Sequence, residues 1–492
     1  MSLPPRAARS VPESRAGIPA VPAWVDLRLD GNQGRAPSAS FFDVLLRDPE
    51  LLRCYPRDDR LERALAAHHG LPVDRFFVGA GADEVLDRLC RACLEPGREA
   101  ILPVPTFEML ERYVALSGAR ARTVPWLEGA WPRQQVLDMR SADTALVAIV
   151  SPNNPTGLVA TADDVRAVCT AFPQALVLVD AAYAEFGGED LTRAALGFDN
   201  AIVVRTFSKA FGLAGLRVGY AIAAPRVVGW LRVVGSPFTC GSWSRAAAVH
   251  RLATGREEMQ AYVRAVEGER TELTGALRAF GLDVLPSAGN FVFVRGGDPS
   301  WLRDALAGVG IAIRAFPDGV RITLPADSAA FARLLAALAA AVMPKALLLD
   351  LDGVLADIEG RRALASVADL QALAALRPIG VVTNCPRRLA ESVLARHGFS
   401  AHVAALVAAE DGPGKPDPGP VRLLLQRLGC TAAWMLGDNA SDFEAARSAG
   451  VVPLAVGGRG IEAERREQLS RQGAVRIVDG LAGLRELLAQ RP

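Results

Sequence analysis

Polar residues follow three short apolar runs of the sequence. The run ALVAIV leads into SPNNPTG, the run ALVLVD ends at Asp180, and the run AIVVRT leads into a turn that carries Lys209. Buried parallel strands are continuously apolar, and their carboxyl ends meet at one edge of a sheet, where ligands bind. The sequence therefore predicts a crevice that collects a lysine, a carboxylate, and hydroxyl and amide donors.

A lysine and a carboxylate in one crevice suit pyridoxal phosphate. That cofactor needs an amine to hold it covalently, a carboxylate opposite its pyridine nitrogen, and donors around its phenolic oxygen and its phosphate. Each motif also has an ordinary interpretation, because NPTG favours a turn, Asp180 could cap a helix and Arg217 could form a surface ion pair. The order and spacing of the motifs together favour the ligand site.

A second group of acidic residues lies in DLDGVL, where Asp350 ends an apolar strand and Asp352 lies two residues later. A carboxylate can attack phosphorus when magnesium screens the phosphate charge, and a second acid can protonate the leaving oxygen. Alone, the pair also fits a solvated acidic turn. Three further polar motifs, VVTN, GKPDP and GDNASD, follow in order and favour a phosphoryl-transfer site.

The elements that must position these groups are of the α/β class. Apolar runs alternate with helical stretches up to about Met343, which indicates a parallel sheet covered by helices. Near Gly281 the pattern changes to a smaller α+β lobe, and after Pro344 a new alternation of strands and helices begins. The predicted domains are a flexible N-terminal arm (1–24), a first domain (25–343, with its small lobe at about 281–343) and a second, compact α/β domain (345–492).

Composition excludes several kinds of partner. The 492 residues carry 55 Lys+Arg against 54 Asp+Glu, without a basic stripe, so we do not expect nucleic acid as a partner. The N-terminus lacks the apolar stretch of a signal peptide, and no apolar run is long enough to span a bilayer, so we expect a cytoplasmic protein without a membrane partner. The seven cysteines lack metal-ligand spacing and are expected to be reduced.

Residues 25–343 resemble the histidinol-phosphate aminotransferases, which are fold-type I pyridoxal phosphate enzymes. The resemblance implies that Lys209 holds the cofactor covalently and shuttles a proton. It also implies that Asp180 pairs with the pyridine nitrogen and that Asn154 and Tyr183 donate to the phenolic oxygen. Phe107, in VPTFEML, corresponds to the aromatic residue that stacks on the cofactor ring.

The same resemblance implies a phosphate site at the start of the helix opened by GAGADEVLD. The groups implied there are the backbone amides of Ala82 and Asp83 and the side chains of Thr206, Ser208 and Arg217. Tyr55 matches a tyrosine that such enzymes lend to the neighbouring subunit, so a homodimer is expected. Arg321 matches the arginine that binds the acidic end of the substrate, with Arg314 as a second candidate.

The chain departs from this family's usual pattern at three places. GNQGRAP stands where an Asn-Glu-Asn-Pro-like segment is usual, Ala181 stands where an acidic residue is usual, and ITLPADS lacks the usual glycine after Arg321. These departures leave the identity of the substrate open.

Residues 345–492 resemble phosphatases of the haloacid dehalogenase superfamily. The resemblance implies that Asp350 attacks phosphorus and Asp352 shuttles the proton, while Thr383 and Lys415 hold the phosphoryl group. Magnesium would be bound by Asp350, the backbone carbonyl of Asp352 and Asp438, with Asp442 orienting these ligands. The intervals between motifs are too short for a separate cap domain, so a capless site is expected. The first domain or a second subunit is hypothesised to supply the missing wall.

The two resembled activities are consecutive in histidine biosynthesis. There imidazole-acetol phosphate is aminated with glutamate, giving 2-oxoglutarate, and the product histidinol phosphate is then dephosphorylated. The second domain, however, lacks the zinc-binding loop of familiar capless histidinol-phosphate phosphatases. Three alternatives therefore stay open: action on another phosphorylated amine of specialised metabolism, a first domain like threonine-phosphate decarboxylase, and a second domain that only senses a phosphorylated ligand.

Overall fold

The computed structural model describes residues 21–41, 48–357, 359, 361–457 and 462–490. Most of the expected N-terminal arm, residues 1–20, lies outside the described residues. Within the described part of the chain, no helix combines the length and the apolar character needed to cross a membrane.

The N-terminal unit contains thirteen described strands and twelve described α-helices. Its strands are β1 (Leu27–Arg28), β2 (Phe76–Ala80), β3 (Glu99–Val104), β4 (Arg120–Pro125), β5 (Thr144–Val150), β6 (Leu176–Asp180), β7 (Ala201–Thr206), β8 (Val218–Ala223), β9 (Asp283–Val284), β10 (Phe291–Arg295), β11 (Ile311–Ala312), β12 (Arg314–Phe316) and β13 (Gly319–Thr323). Its helices are α1 (Glu50–Arg53), α2 (Arg60–His69), α3 (Gly81–Cys93), α4 (Glu108–Ser117), α5 (Arg133–Asp138), α6 (Ala162–Ala171), α7 (Thr192–Ala195), α8 (Pro225–Val233), α9 (Ser242–Thr254), α10 (Arg256–Ala279), α11 (Pro299–Gly308) and α12 (Ser328–Val342).

A seven-stranded sheet forms the centre of this unit, in the order β2-β8-β7-β6-β5-β3-β4. β8 runs antiparallel to both of its neighbours, and the other pairs are parallel. β5, β6 and β7 are buried along their whole length because apolar clusters cover both faces of the sheet. These strands are the three predicted apolar runs, and they lie side by side, so their polar ends share one edge of the sheet.

A smaller lobe is built on an antiparallel sheet in the order β12-β13-β10-β9. Helices α10, α11 and α12 contribute to its core. The lobe also takes up the beginning of the chain, because β1 pairs in parallel with β11. The segment that follows β1 is thereby held close to the turn that carries Lys209, where Gly34 packs against the Lys209 backbone.

The C-terminal unit has a six-stranded parallel sheet in the order β18-β17-β14-β19-β20-β21, beside a hairpin of β15 and β16. Its strands are β14 (Ala346–Leu349), β15 (Ala356–Asp357), β16 (Arg362–Ala363), β17 (Ile379–Val382), β18 (Ala405–Val407), β19 (Ala433–Gly437), β20 (Val452–Gly457) and β21 (Arg476–Asp479). Its described α-helices are α13 (Val367–Leu376), α14 (Arg387–Arg396), α15 (Gly419–Leu428), α16 (Ala440–Ser448), α17 (Ala463–Arg471) and α18 (Gly480–Ala489).

The two units share an apolar interface. Trp301 of α11 and Trp434 of β19 meet edge to face, with ring centroids 5.1 Å apart. Their indole N–H groups donate to the carbonyl oxygens of Ala341 and Ala340, in the last turn of α12, where helix carbonyls lack intrahelical partners. Arg476 at the start of β21 adds ion pairs to α11. The interface therefore lies at the amino-terminal ends of β19 and β21.

Candidate active sites

A cavity of about 440 Å³ lies at the carboxyl edge of the seven-stranded sheet. It is lined by ten of the residues selected from the sequence: Ala82, Asp83, Phe107, Asn154, Asp180, Tyr183, Thr206, Ser208, Lys209 and Arg217. A second cavity of about 370 Å³ shares Lys209, Asn154 and Tyr183 with the first and adds Arg314 and Arg321. The structure therefore brings together ten of the eleven residues expected around the cofactor and both residues expected around the substrate.

Asp180 lines the first cavity. Its side chain is buried and accepts a hydrogen bond from the Ala182 backbone N–H at 3.1 Å. Burial raises the pKa of this carboxyl group to about 6, because desolvation disfavours the charged form. A cationic group in the cavity, such as a protonated pyridine nitrogen, would stabilise the carboxylate that burial destabilises.

The other end of the cavity is suited to an anion. α3 begins at Gly81, so its unpaired backbone N–H groups and the positive end of its dipole face this region. The Thr206 hydroxyl donates to the Ser208 hydroxyl at 3.0 Å, and Arg217 pairs with Asp83 at 2.7 Å. A Cβ at Gly81 would lie 2.6 Å from the Arg217 guanidinium. The absence of a side chain at this position keeps space for that cation.

Lys209 lines both cavities, and its amine makes a long hydrogen bond. Its Nζ atom is 3.5 Å from the carbonyl oxygen of Gly31 and 5.5 Å from the centroid of the Tyr183 ring. The segment after β1 packs closely here, since a Cβ at Gly34 would lie 1.8 Å from the carbonyl oxygen of Lys209. The segment GNQGRAP, which departs from the family pattern, was not predicted to lie in the site. Its residues Gly31 and Asn32 nevertheless line the second cavity.

The two candidate substrate arginines differ in environment. Arg321 is buried, donates to the Asp30 carbonyl oxygen at 2.7 Å and also bonds the Asn154 side chain. Burial lowers the pKa of Arg321 to about 10. Arg314 instead pairs with Glu108 at 3.0 Å near the mouth of the second cavity. Arg321 is therefore fixed inside the site, whereas Arg314 carries a more exposed ion-pair partner.

Tyr55 is not brought to the cavity within one chain. Its side chain is 70% exposed and stacks on Phe238, with ring centroids 5.3 Å apart. This position is compatible with a contribution to a neighbouring subunit, which stays a prediction.

The second candidate site lies at the carboxyl edge of the C-terminal sheet. Lys415 Nζ is 2.8 Å from Asp350 Oδ1 and 2.5 Å from Asp442 Oδ1. Oxygen atoms of Asp350, Asp438 and Asp442 all lie within 4.8 Å of one another, which is suitable for a metal ion. Burial raises the pKa of Asp350 to about 7, and the Lys415 ammonium group opposes this rise.

The remaining predicted residues surround this cluster in different ways. Thr383 is buried, and its hydroxyl oxygen accepts the Cys385 backbone N–H at 3.1 Å. Asp352 is exposed and lies in the turn after β14. Asp442 is fully buried and accepts the backbone N–H of Asp438 at 3.1 Å. Asp442 therefore contacts both Lys415 and the loop of a candidate metal ligand, and its role in orienting the metal ligands stays a prediction.

Among the residues that the structure describes, the contacts between the two units lie away from this second site and do not form the hypothesised wall. The N-terminal unit contacts Trp434 and Arg476 at the amino-terminal ends of their strands. Asp350 and Asp438 follow the carboxyl ends of β14 and β19, at the opposite edge. A second subunit remains the untested alternative.

Comparisons with known proteins match both units. The family described as aminotransferase class I and II matches residues 37–338, and that of haloacid dehalogenase-like hydrolases matches residues 362–450, which begin after Asp352. A histidinol-phosphate aminotransferase of Staphylococcus saprophyticus is 34% identical over 58% of this chain and 83% of its own length. An aromatic amino acid aminotransferase of Mycobacteroides abscessus is 34% identical over 60% of this chain and 88% of its own length.

Solved structures agree with these matches. The histidinol-phosphate aminotransferase of Sinorhizobium meliloti in complex with pyridoxal-5'-phosphate is 27% identical, with a TM-score of 0.58, over 63% of this chain and 90% of that one. The aspartate aminotransferase of Thermus thermophilus with maleate, at 23% identity, has a TM-score of 0.56 over 64% of this chain and 92% of that one, and supports the fold alone. The expected fold class is confirmed. The chain belongs to the class I and II aminotransferases and carries a haloacid dehalogenase-like hydrolase domain at its C-terminal side.

Proposed function

We propose that the chain is a bifunctional enzyme that aminates a phosphorylated ketone and hydrolyses a phosphate monoester. The first activity would use pyridoxal phosphate with glutamate as the amino donor, and the second would use magnesium. The observation that carries the proposal is the gathering of ten sequence-selected residues in one cavity, together with a separate cluster of carboxylates around Lys415. The favoured substrates are imidazole-acetol phosphate for amination and histidinol phosphate for hydrolysis.

The first cavity fits pyridoxal phosphate at both ends. When bound, this cofactor would supply an electron sink for the carbon that bears the substrate's amino group. Asp180 would keep the ring nitrogen protonated. Burial without a bound cation raises the pKa of Asp180, and a protonated ring nitrogen would stabilise its ionised form. Thr206, Ser208, Arg217 and the first turn of α3 would hold the phosphate.

Lys209 would attach the cofactor and then move a proton at the substrate's α-carbon. Among the described residues, its amine makes a long hydrogen bond to Gly31 O and lies over the Tyr183 ring, so it can turn toward either cavity. Asn154 and Tyr183 would orient the cofactor's phenolic oxygen, and Phe107 would stack on the ring. Exclusion of water by the small lobe would strengthen these polar contacts.

The second cavity would bind the anionic groups of the substrates. Arg321 presents a planar, buried guanidinium suited to a carboxylate or phosphate. Arg314 would exchange its exposed partner Glu108 for a second anion. Two arginines in one cavity would accommodate both a phosphorylated amine and a dicarboxylic amino donor.

In the second site, Asp350 would attack phosphorus while Asp352 gives a proton to the departing ester oxygen. Water would then attack the same phosphorus, Asp352 would take up its proton, and Asp350 would be released unchanged. Thr383 and Lys415 would hold the phosphoryl oxygens. The carboxylates of Asp350 and Asp438, with the Asp352 backbone carbonyl, would hold magnesium, which prefers oxygen ligands.

A substrate panel tests this proposal. Protein with pyridoxal phosphate, magnesium and 2-oxoglutarate would be mixed in turn with histidinol phosphate, phenylalanine or O-phosphothreonine, while glutamate, free phosphate and carbon dioxide are measured. Histidinol phosphate is expected to yield both glutamate and phosphate. Glutamate from phenylalanine alone would favour an aromatic substrate, as for the Mycobacteroides relative. Carbon dioxide from O-phosphothreonine would favour a decarboxylase, and failure to hydrolyse any phosphate monoester would favour a sensor domain.

A further inference from the structure

We propose that Asn32, fixed by Thr323, is a positioning residue that directs the hydroxyl hydrogen of Tyr183 toward the cofactor. The inference rests on the proposed pyridoxal phosphate chemistry, but not on the identity of the substrate. Asn32 lies in the segment after β1, Thr323 ends β13 of the small lobe, and Tyr183 follows β6 of the large sheet. Three distant parts of the chain therefore meet in one hydrogen-bonded group.

The hydrogen bonds within this group have defined directions. The Thr323 hydroxyl accepts the Asn32 backbone N–H at 3.2 Å and donates its own hydrogen to Asn32 Oδ1 at 2.6 Å. The Asn32 side-chain NH₂ then donates to the Tyr183 hydroxyl oxygen at 3.0 Å. Turning the amide of Asn32 over would present two donors to Thr323 and leave the buried threonine hydrogen without Oδ1 as its acceptor.

These hydrogen bonds determine where the Tyr183 hydroxyl can donate its hydrogen. Because the Tyr183 oxygen receives a hydrogen from Asn32, its own hydrogen is available for another acceptor. The ring of Tyr183 lines both cavities beside Asn154 and Lys209. The cofactor's phenolic oxygen would be the acceptor there.

The position of Asn32 is itself strongly constrained. It is 1% exposed, and its backbone has a φ of 51°, in the left-handed region that asparagine tolerates better than most residues. The side chain of Asn290 donates to its carbonyl oxygen at 3.3 Å. Two residues earlier, the Asp30 carbonyl accepts from Arg321. The strand that carries the substrate arginine therefore also holds the residue that orients Tyr183.

Asn32→Asp is the sharpest test because it keeps the shape and tolerates the same backbone angle. A carboxylate can only accept, so Tyr183 would turn its hydrogen toward residue 32 and away from the cofactor. We expect the pH at which the bound cofactor's visible absorbance changes to rise by about 0.5–1 unit. The reason is that the ionised phenolic oxygen would no longer accept a hydrogen bond from Tyr183. The dissociation constant of pyridoxal phosphate, titrated into cofactor-free protein, should rise about 10-fold.

Matched variants separate positioning from a merely structural role. Thr323→Val should raise the same pH and dissociation constant, whereas Thr323→Ser, which keeps the hydroxyl, should match the wild type. In a Tyr183→Phe background, Asn32→Asp should have little further effect on either quantity, because the residue acts through the tyrosine.

Equal effects of Asn32→Asp with and without the Tyr183 hydroxyl would overturn the inference, as would wild-type behaviour of Thr323→Val. A wild-type chain that does not bind pyridoxal phosphate would overturn this inference and the proposed function together. Binding of the cofactor without turnover of histidinol phosphate would reject only the proposed substrate, because neither readout uses a substrate.

Discussion

Lys209 and Lys415 occupy the centres of the two candidate sites in contrasting surroundings. Lys209 Nζ has a 3.5 Å contact to the Gly31 carbonyl oxygen, whereas Lys415 Nζ lies between Asp350 and Asp442 at 2.8 and 2.5 Å. An amine that must form a covalent bond needs freedom to lose its proton and move. An ammonium group that must offset phosphate charge is most useful when it is fixed. The same residue type is therefore suited to two chemistries by its neighbours.

The sites also differ in enclosure. The cavity at Lys209 lies between the large sheet and the small lobe, and residues of the lobe such as Arg321 reach into it. The site at Lys415 lies at one edge of a sheet whose other edge packs on the N-terminal unit. The first site is expected to select its substrate through contacts within the chain, and the second through a partner or through the substrate itself.

The largest expected difference is between the effects of replacing Lys415 and of replacing Lys209 on the free energy of unfolding. Lys415→Met should lower the free energy of unfolding by about 3–5 kcal/mol, because it leaves two buried carboxylates without their cation. It should also slow phosphate release about 10²–10³-fold. Lys209→Met should change the free energy of unfolding by less than about 1 kcal/mol. Chemical denaturation of metal-free and cofactor-free protein measures both, and equal destabilisation would contradict the contrast.

The interface between the units gives the second prediction. Trp434→Ala should destabilise the protein by about 3–5 kcal/mol, because a fully buried indole and its bond to the Ala340 carbonyl are lost. Arg476→Ala is the control, with an effect of about 0–1 kcal/mol for a partly exposed ion pair. Calorimetry should show one transition for the wild type and two for Trp434→Ala. Two transitions in the wild type would mean that the units unfold independently.

Asp180 supplies a smaller, pH-dependent effect. Asp180→Asn should stabilise cofactor-free protein above pH 6 by roughly 2–3 kcal/mol, since the folded pKa of about 6 exceeds the unfolded value of 3.8. The native state disfavours the ionised form, so the gain appears as pH rises from about 4 to 6 and vanishes below the unfolded pKa. Unfolding at pH 4 and pH 8 measures it. The same variant should bind pyridoxal phosphate more weakly, and a gain independent of pH would argue against this cause.

Local patterns predicted part of this arrangement and missed another part for a physical reason. The ends of β5, β6 and β7 were predicted because buried parallel strands leave a continuous apolar signal. The pairing of β1 with β11 and the role of Asn32 at the cavity were not predicted, since they depend on contacts between residues far apart in the chain. The contact of Trp301 with Trp434 was not predicted for the same reason. The sequence around a buried tryptophan does not show which distant residue it packs against.

The central claim is that one chain holds two separate catalytic sites. The most direct test measures glutamate formation and phosphate release from histidinol phosphate by the wild type, Lys209→Ala and Asp350→Asn, each supplied with pyridoxal phosphate, magnesium and 2-oxoglutarate. The account predicts that Lys209→Ala loses glutamate formation at least about 10³-fold and keeps phosphate release, and that Asp350→Asn shows the reverse. Loss of both activities in either well-folded variant, or persistence of phosphate release in Asp350→Asn, would contradict it.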